Sequence, residues 1–245
     1  MKKLLSLLLF VNILIFASSS HTLNEDSATN SSSDISDNDI NKQSVFESIN
    51  FGINVPSKKM FDLAYAGYTK LKEQGKIKKE ILSIVDFEQS SNNKRLWIID
   101  LKNKKVLFNT LVAHGRNSGN EFATSFSNVN SSYKSSLGFY ITGGTYTGKH
   151  GNSLKLYGVE KNINDAAYER AIVIHGADYV SSKFAQAYGR IGRSLGCPAV
   201  PVELADDIIA DIANGSCLFL YKNDTKYLSA SQYVDSKNNP LATNY

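Results

Sequence analysis

Cys197 lies in the run Gly189-Arg190-Ile191-Gly192-Arg193-Ser194-Leu195-Gly196-Cys197-Pro198. His175, twenty-two residues upstream, ends the apolar run Ala171-Ile172-Val173-Ile174-His175-Gly176. A thiol and an imidazole are the minimum pair for covalent acyl transfer. The sulfur attacks a carbonyl, and the imidazole takes the thiol proton and hands it to the leaving group. Glycines at 192 and 196 leave the backbone open to a substrate, because no Cβ crowds it. Arg190 and Arg193 are expected to lower the thiol pKa and favour the thiolate. An imidazole that ordinarily titrates near 6.5 accepts such a proton at neutral pH. These residues point to a cysteine acyltransferase.

Other residues compete for the same roles. The chain has three His-Gly dipeptides, at His114, His150 and His175. His114 and His175 each end an apolar strand, whereas His150 falls in a turn-rich segment. His175 is therefore the expected base and His114 its reserve. The second cysteine, Cys217, stands in the apolar run Gly215-Ser216-Cys217-Leu218-Phe219-Leu220 and is expected to be buried. A Cys197–Cys217 disulfide is the alternative, and it would abolish the nucleophile. The glycine- and arginine-rich setting of Cys197 favours a free thiol. No C-x-x-C or H-E-x-x-H spacing is present, so no metal is expected.

The elements that must hold this pair follow from the rest of the chain. Residues 1–20 read as a signal peptide: Lys2 and Lys3, an apolar run over 4–16, then Ala17-Ser18-Ser19-Ser20. That run is short for a membrane span, so export to the periplasm, cell envelope or medium is expected. Residues 21–44 are polar and acidic, too poor in apolar side chains to offset their ordering entropy, and read as a disordered linker. Removing 1–20 takes two lysines and no acid from a formal charge of +4, and with no basic stripe a nucleic-acid partner is not expected. Residues 45–80 read as an N-terminal helical segment packed on the domain, with a helix from Pro56 to Gln74. Strands are expected at 81–87, 95–101, 105–112, 137–142, 154–157, 171–175 and 216–221. The stretches 115–120 and 143–153 read as Gly- and Ser-rich turns. Helices are expected from Asn164 to Arg170 and from Pro201 through Ala213. A domain over 81–228 and a tail over 229–245 complete the chain. The fold class is β-rich α+β, a sandwich-like or mixed sheet with a few flanking helices.

Ile174-His175-Gly176 followed by Ser194-Leu195-Gly196-Cys197 resembles the H-G … S-x-G-C signature of L,D-transpeptidases. The likeness is nearest to the murein L,D-transpeptidase catalytic domain family. It extends over roughly residues 80–222, through 112–119, Ser135-Ser136-Leu137-Gly138-Phe139-Tyr140 and the Gly-Arg-Ile-Gly-Arg-Ser run. The resemblance implies a bacterial cell-wall enzyme acting on peptidoglycan stem peptides as donor and acceptor. Cys197 would be the nucleophile, His175 the base, and the Gly176 carbonyl would orient the imidazole. Ser194 and Gly196 would shape the nucleophile turn, where backbone amides can stabilise an oxyanion. The family motif commonly has an arginine two residues after the cysteine, and this chain has Ala199 there. Arg193, Arg190 or Arg116 would then have to read a substrate carboxylate. The implied product is a 3→3 cross-link made through a thioester, with no metal or organic cofactor expected. L,D-carboxypeptidase or endopeptidase activity is the hydrolytic alternative, and a non-catalytic peptidoglycan-binding module the alternative of another class.

Overall fold

The structure, a computed structural model, describes residues 45–234. The leader at 1–20, the linker at 21–44 and residues 235–245 lie outside the described residues. After a helical turn at 45–48, the chain forms α1 (Lys58–Glu73). Ser57 caps this helix by accepting a hydrogen bond from Met60 N, which leaves Pro56 outside it. One face, with Met60, Phe61, Leu63, Ala64, Tyr68 and Leu71, is buried. Each such large apolar side chain, fully buried, contributes about 1.5–3 kcal/mol.

Three strands follow: β1 (Ile81–Asp86), β2 (Leu96–Asp100) and β3 (Lys105–Thr110). Next come β4 (Gly138–Gly148), β5 (Gly151–Gly158) and β6 (Val173–Gly176). The chain then adds α2 (Ser182–Tyr188), β7 (Ala199–Val200), α3 (Val202–Ile212), β8 (Cys217–Tyr221) and α4 (Thr225–Ala230). All eight strands join one mixed sheet in the order β3-β2-β1-β8-β4-β5-β6-β7. The β1–β8 and β6–β7 pairs are parallel and the others antiparallel. α1 packs on β1 and β8, and α3 packs on β5 and β6 through Ala205, Ile208, Ile209 and Ile212. Phe139 of β4 stacks on Phe219 of β8 with ring centroids 4.1 Å apart, in the middle of the core.

The segment after β3 ties the two ends of the sheet together. Ala113 bridges Ala199 of β7, and Gly115 bridges Ser194. The bonds are Ala113 N to Ala199 O at 2.8 Å, Ser194 N to His114 O at 2.9 Å and Arg116 N to Ser194 O at 2.8 Å. The edge strand β7 is thereby covered, and the chain that leads to Cys197 is fastened to the segment after β3.

Several elements differ from the expectations. Residues 143–153 are not a turn: β4 and β5 run through them as a long hairpin, with only Lys149 and His150 between the closing pair Gly148 and Gly151. Gly143 and Gly144 sit at a register shift between Thr142 and Thr145, and Thr145-Tyr146-Thr147 then resumes as a β-branched and aromatic strand. The helix expected over 164–170 is reduced to a 3-10 turn, Asp165–Ala167. The Asn164 side chain does not cap it, because Nδ2 donates instead to Leu137 O and Phe139 O. α2 and α4 arise where no helix was expected. Tyr233 and Val234, from the stretch read as a tail, are buried. Among the described residues no helix is long and apolar enough to cross a membrane.

Candidate active site

β6 carries Ile174 into the core and turns His175 to the other face of the sheet. Its parallel pairing sets His175 beside Ala199 and Gly176 beside Val200. Cys197 is two residues before that pair, so the ends of two neighbouring strands bring the thiol and the imidazole into one cleft of about 380 Å³. Both cysteines are free; Cys197 is partly exposed in the cleft and Cys217 is buried in β8.

The cysteine turn is held by its own serine. Ser194 Oγ donates to Cys197 O at 2.6 Å and accepts from Gly196 N at 3.0 Å. The Gly196 amide is thus spent within the turn and is not a free oxyanion donor. Cys197 Sγ lies 3.7 Å from Ala171 O, and Ala171 presents that carbonyl from a left-handed conformation, φ 54°. A satellite cluster of Ala113, Ala177, Val180, Ile191 and Ala199 packs beneath. Ala199 is fully buried in it, so the second position after Cys197 holds a small core residue.

His175 is buried, and its Nδ1 lies 2.9 Å from Gly176 O. That contact assigns the proton to Nδ1 and leaves the lone pair on Nε2. Burial holds the His175 pKa below its ordinary value, the Gly176 carbonyl opposes this, and His150 and Lys149 add to the lowering. Burial pushes the Cys197 thiol up, against the Val173 amide and Arg170, which pull it down. Both directions favour the neutral forms of the two groups that share the cleft, so the thiolate is favoured when the proton moves to nitrogen.

The cations near the thiol are not those singled out in the sequence. The cations that pull the thiol down are Arg170, followed by Lys149. Arg170 lines the cleft and is fixed from behind. Nη1 donates to Ser127 O at 2.8 Å and Ser136 Oγ at 2.6 Å, and Nη2 to Lys134 O at 2.7 Å and Ser132 Oγ at 3.3 Å. Arg193 also lines the cleft, with Nη1 bound to Arg116 O, Gly119 O and Asn120 Oδ1 at 2.9–3.1 Å. Arg190 folds back on Ile191 O, and Arg116 lies exposed over the Tyr133 ring; neither lines the cleft.

His114 is not at the cleft either. It is fully buried, its Nδ1 2.8 Å from Arg95 Nη2, and burial together with that guanidinium lowers its pKa to about 4. It is a base with no path to the thiol. His150, set aside as a turn residue, is the imidazole that reaches the site: its ring stacks on His175 with centroids 4.3 Å apart. Among the described residues no group of histidine, cysteine or acidic side chains could hold a metal ion.

A family model described as L,D-transpeptidase catalytic domain matches residues 54–221. This chain belongs to that family. Solved L,D-transpeptidases are similar to it at low identity. One from Mycobacterium smegmatis is 11% identical, over 58% of this chain and 59% of that one, with a TM-score of 0.38. L,D-transpeptidase 3 from Mycobacterium tuberculosis is 10% identical, over 58% and 61%, with a TM-score of 0.38. One from Xylanimonas cellulosilytica is 10% identical, over 74% and 91%, with a TM-score of 0.35. The chain thus spans less than two thirds of the first two. No curated protein matches the sequence. Within the L,D-transpeptidase catalytic domain, the matched stretch contains α1 and every strand of the sheet, together with Cys197 and His175.

Proposed function

We propose that the protein is an exported L,D-transpeptidase that joins peptidoglycan stem peptides through a thioester on Cys197. The observation that carries this reading is the single cleft lined by both Cys197 and His175, with His175 Nδ1 held by Gly176 O. Nε2 is then the atom that moves the protons. As Cys197 Sγ bonds to the carbonyl at the L-centre of the position-three diamino acid, its proton passes to His175. The tetrahedral intermediate collapses, the bond to the terminal D-alanine breaks, and His175 protonates the departing amine. An amine of a second stem attacks the thioester, His175 takes its proton, and the released sulfur recovers it as the 3→3 bond closes.

The lining suits such a donor. It contains Lys149, Arg170 and Arg193 and no carboxylate, so a substrate bearing carboxylates meets only positive charge. Residues 1–20 direct export and 21–44 tether the domain in this reading. The test is mass spectrometry of muropeptides incubated with the protein. Wild type should release D-alanine and yield a 3→3 dimer, and Cys197→Ala should yield neither. Tripeptide without dimer would assign the hydrolytic alternative, and no change with wild type would leave a binding module.

A further inference from the structure

The hairpin tip between β4 and β5 has no assigned role in acyl transfer, yet it reaches the base. Gly148 and Gly151 pair across the strands, which leaves Lys149 and His150 as a two-residue connection. Ser153, three residues on, pairs with His175 across β5–β6. The tip folds over that pairing, and the His150 ring lies on the His175 ring at 4.3 Å with 20° between their planes. His150 is itself exposed, so the stack covers one face of His175 while solvent meets the far face of His150.

This contact completes the seating of the base. The bond from Nδ1 to Gly176 O fixes one edge of the His175 ring, but a ring held at one edge is free to tilt about it. A stacked second ring removes that freedom. The cleft lining contains no carboxylate to do the same job from the side. We propose that His150 is a positioning residue for His175, fixing the tilt of its ring and keeping it in the proton-accepting form. Two imidazoles this close resist carrying protons together, because like charges at short range disfavour the second ionisation. The other charged and titratable groups that line the same cleft are Lys149 on the tip, Arg170, Cys197, Arg193, Tyr146 and Tyr179. The lowered pKa of His175, to which His150 and Lys149 both contribute after burial, agrees with this arrangement.

The inference deepens the transpeptidase reading, since it concerns the base assigned there, but its main test does not need a peptide substrate. In the full chain, the ring-proton resonance of His175 is assigned by its loss in His175→Ala and followed against pH. His150→Phe keeps a ring for the stack and removes the charge; His150→Ala removes both. The His175 midpoint should rise in each variant. Alkylation of Cys197 by iodoacetamide, followed against pH, should shift the opposite way, to lower pH, because a more readily protonated His175 favours the thiolate. On stem peptide, His150→Ala should lose about two- to tenfold in kcat with little change in KM, the range that aromatic pairing is worth, and His150→Phe should recover most of it. An unchanged His175 midpoint in both variants overturns the proposal. Wild type without turnover would sink the transpeptidase reading, while the titration would still decide this one.

Discussion

Gly115 and Gly196 meet backbone to backbone. A Cβ built on Gly115 would stand 3.0 Å from Gly196 Cα, 2.5 Å from Tyr133 O and 2.9 Å from Ser135 N. Gly196 itself has φ 128°, a conformation that side chains rarely adopt. Ser135 Oγ completes the clasp by accepting from Gly115 N at 3.1 Å and donating to Gly196 O at 3.0 Å. The turn that presents Cys197 is therefore set by the chain after β3 as much as by its own sequence.

Gly115→Ala is expected to destabilise the protein by about 1–3 kcal/mol, because the new methyl meets backbone that has nowhere to go. Gly144→Ala, whose nearest contact would be Asn214 Oδ1 at 3.7 Å, should stay within about 0.5 kcal/mol. Urea denaturation of both variants checks this. Equal stabilities would show that the clasp yields.

Arg170→Gln should raise the Cys197 thiol pKa further, since it removes the cation that most lowers it. The rate of iodoacetamide alkylation against pH should shift to higher pH. Arg170→Lys should shift it less, while both variants lose roughly 1–3 kcal/mol through the unmet acceptors Ser127 O and Lys134 O. A profile unmoved in Arg170→Gln would remove this arginine from the chemistry.

Arg193 lines the cleft but has one nitrogen committed to the 116–120 loop. If its remaining donors read a substrate carboxylate, Arg193→Ala should lose about ten- to a hundredfold in kcat/KM on a stem tetrapeptide. The loss should be much smaller on the C-terminally amidated analogue. The same loss on both peptides would mean that Arg193 holds the loop and nothing more.

His114 makes stability depend on pH. Its native pKa, lowered to about 4, lies below the unfolded value of 6.5, so the unfolded chain binds the proton more readily. The stability tied to its neutral form is complete above pH 6.5 and is lost as pH falls from 6.5 to about 4. The loss is at most on the order of 3 kcal/mol. His114→Gln keeps an acceptor for Arg95 and should flatten the unfolding free energy over that window. Parallel curves for variant and wild type would rule the residue out.

That Cys197 and His175 share one cleft was legible because each sits next to a strand end and a glycine, a local pattern. α1 was legible from its apolar spacing, and its start differs by the two residues that the Ser57 cap displaces. The long β4–β5 hairpin was not, because Gly143 and Gly144 act as a bulge inside a strand although they read as a turn. That misreading hid His150, whose role depends on where the tip lands. Arg170 gave no sequence signal: it becomes a neighbour of Cys197 through four hydrogen bonds to the 127–136 loop. α2 carries Ser181 and Gly189 as caps, but it buries no residue, so no apolar stripe marked it.

β8, the last strand among the described residues, is inserted at the centre of the sheet between β1 and β4. Leu82 finds its parallel partner only at Cys217, near the end of the chain. A growing chain therefore holds two unfinished half-sheets, β3-β2-β1 and β4-β5-β6-β7, each with an open edge, until Tyr221 has left the ribosome. Closing so long a loop is entropically costly and slow. A chain cut at Gly215 should accordingly fail to form a smaller stable domain, and ribosome-bound chains should stay protease-sensitive until that strand slots in.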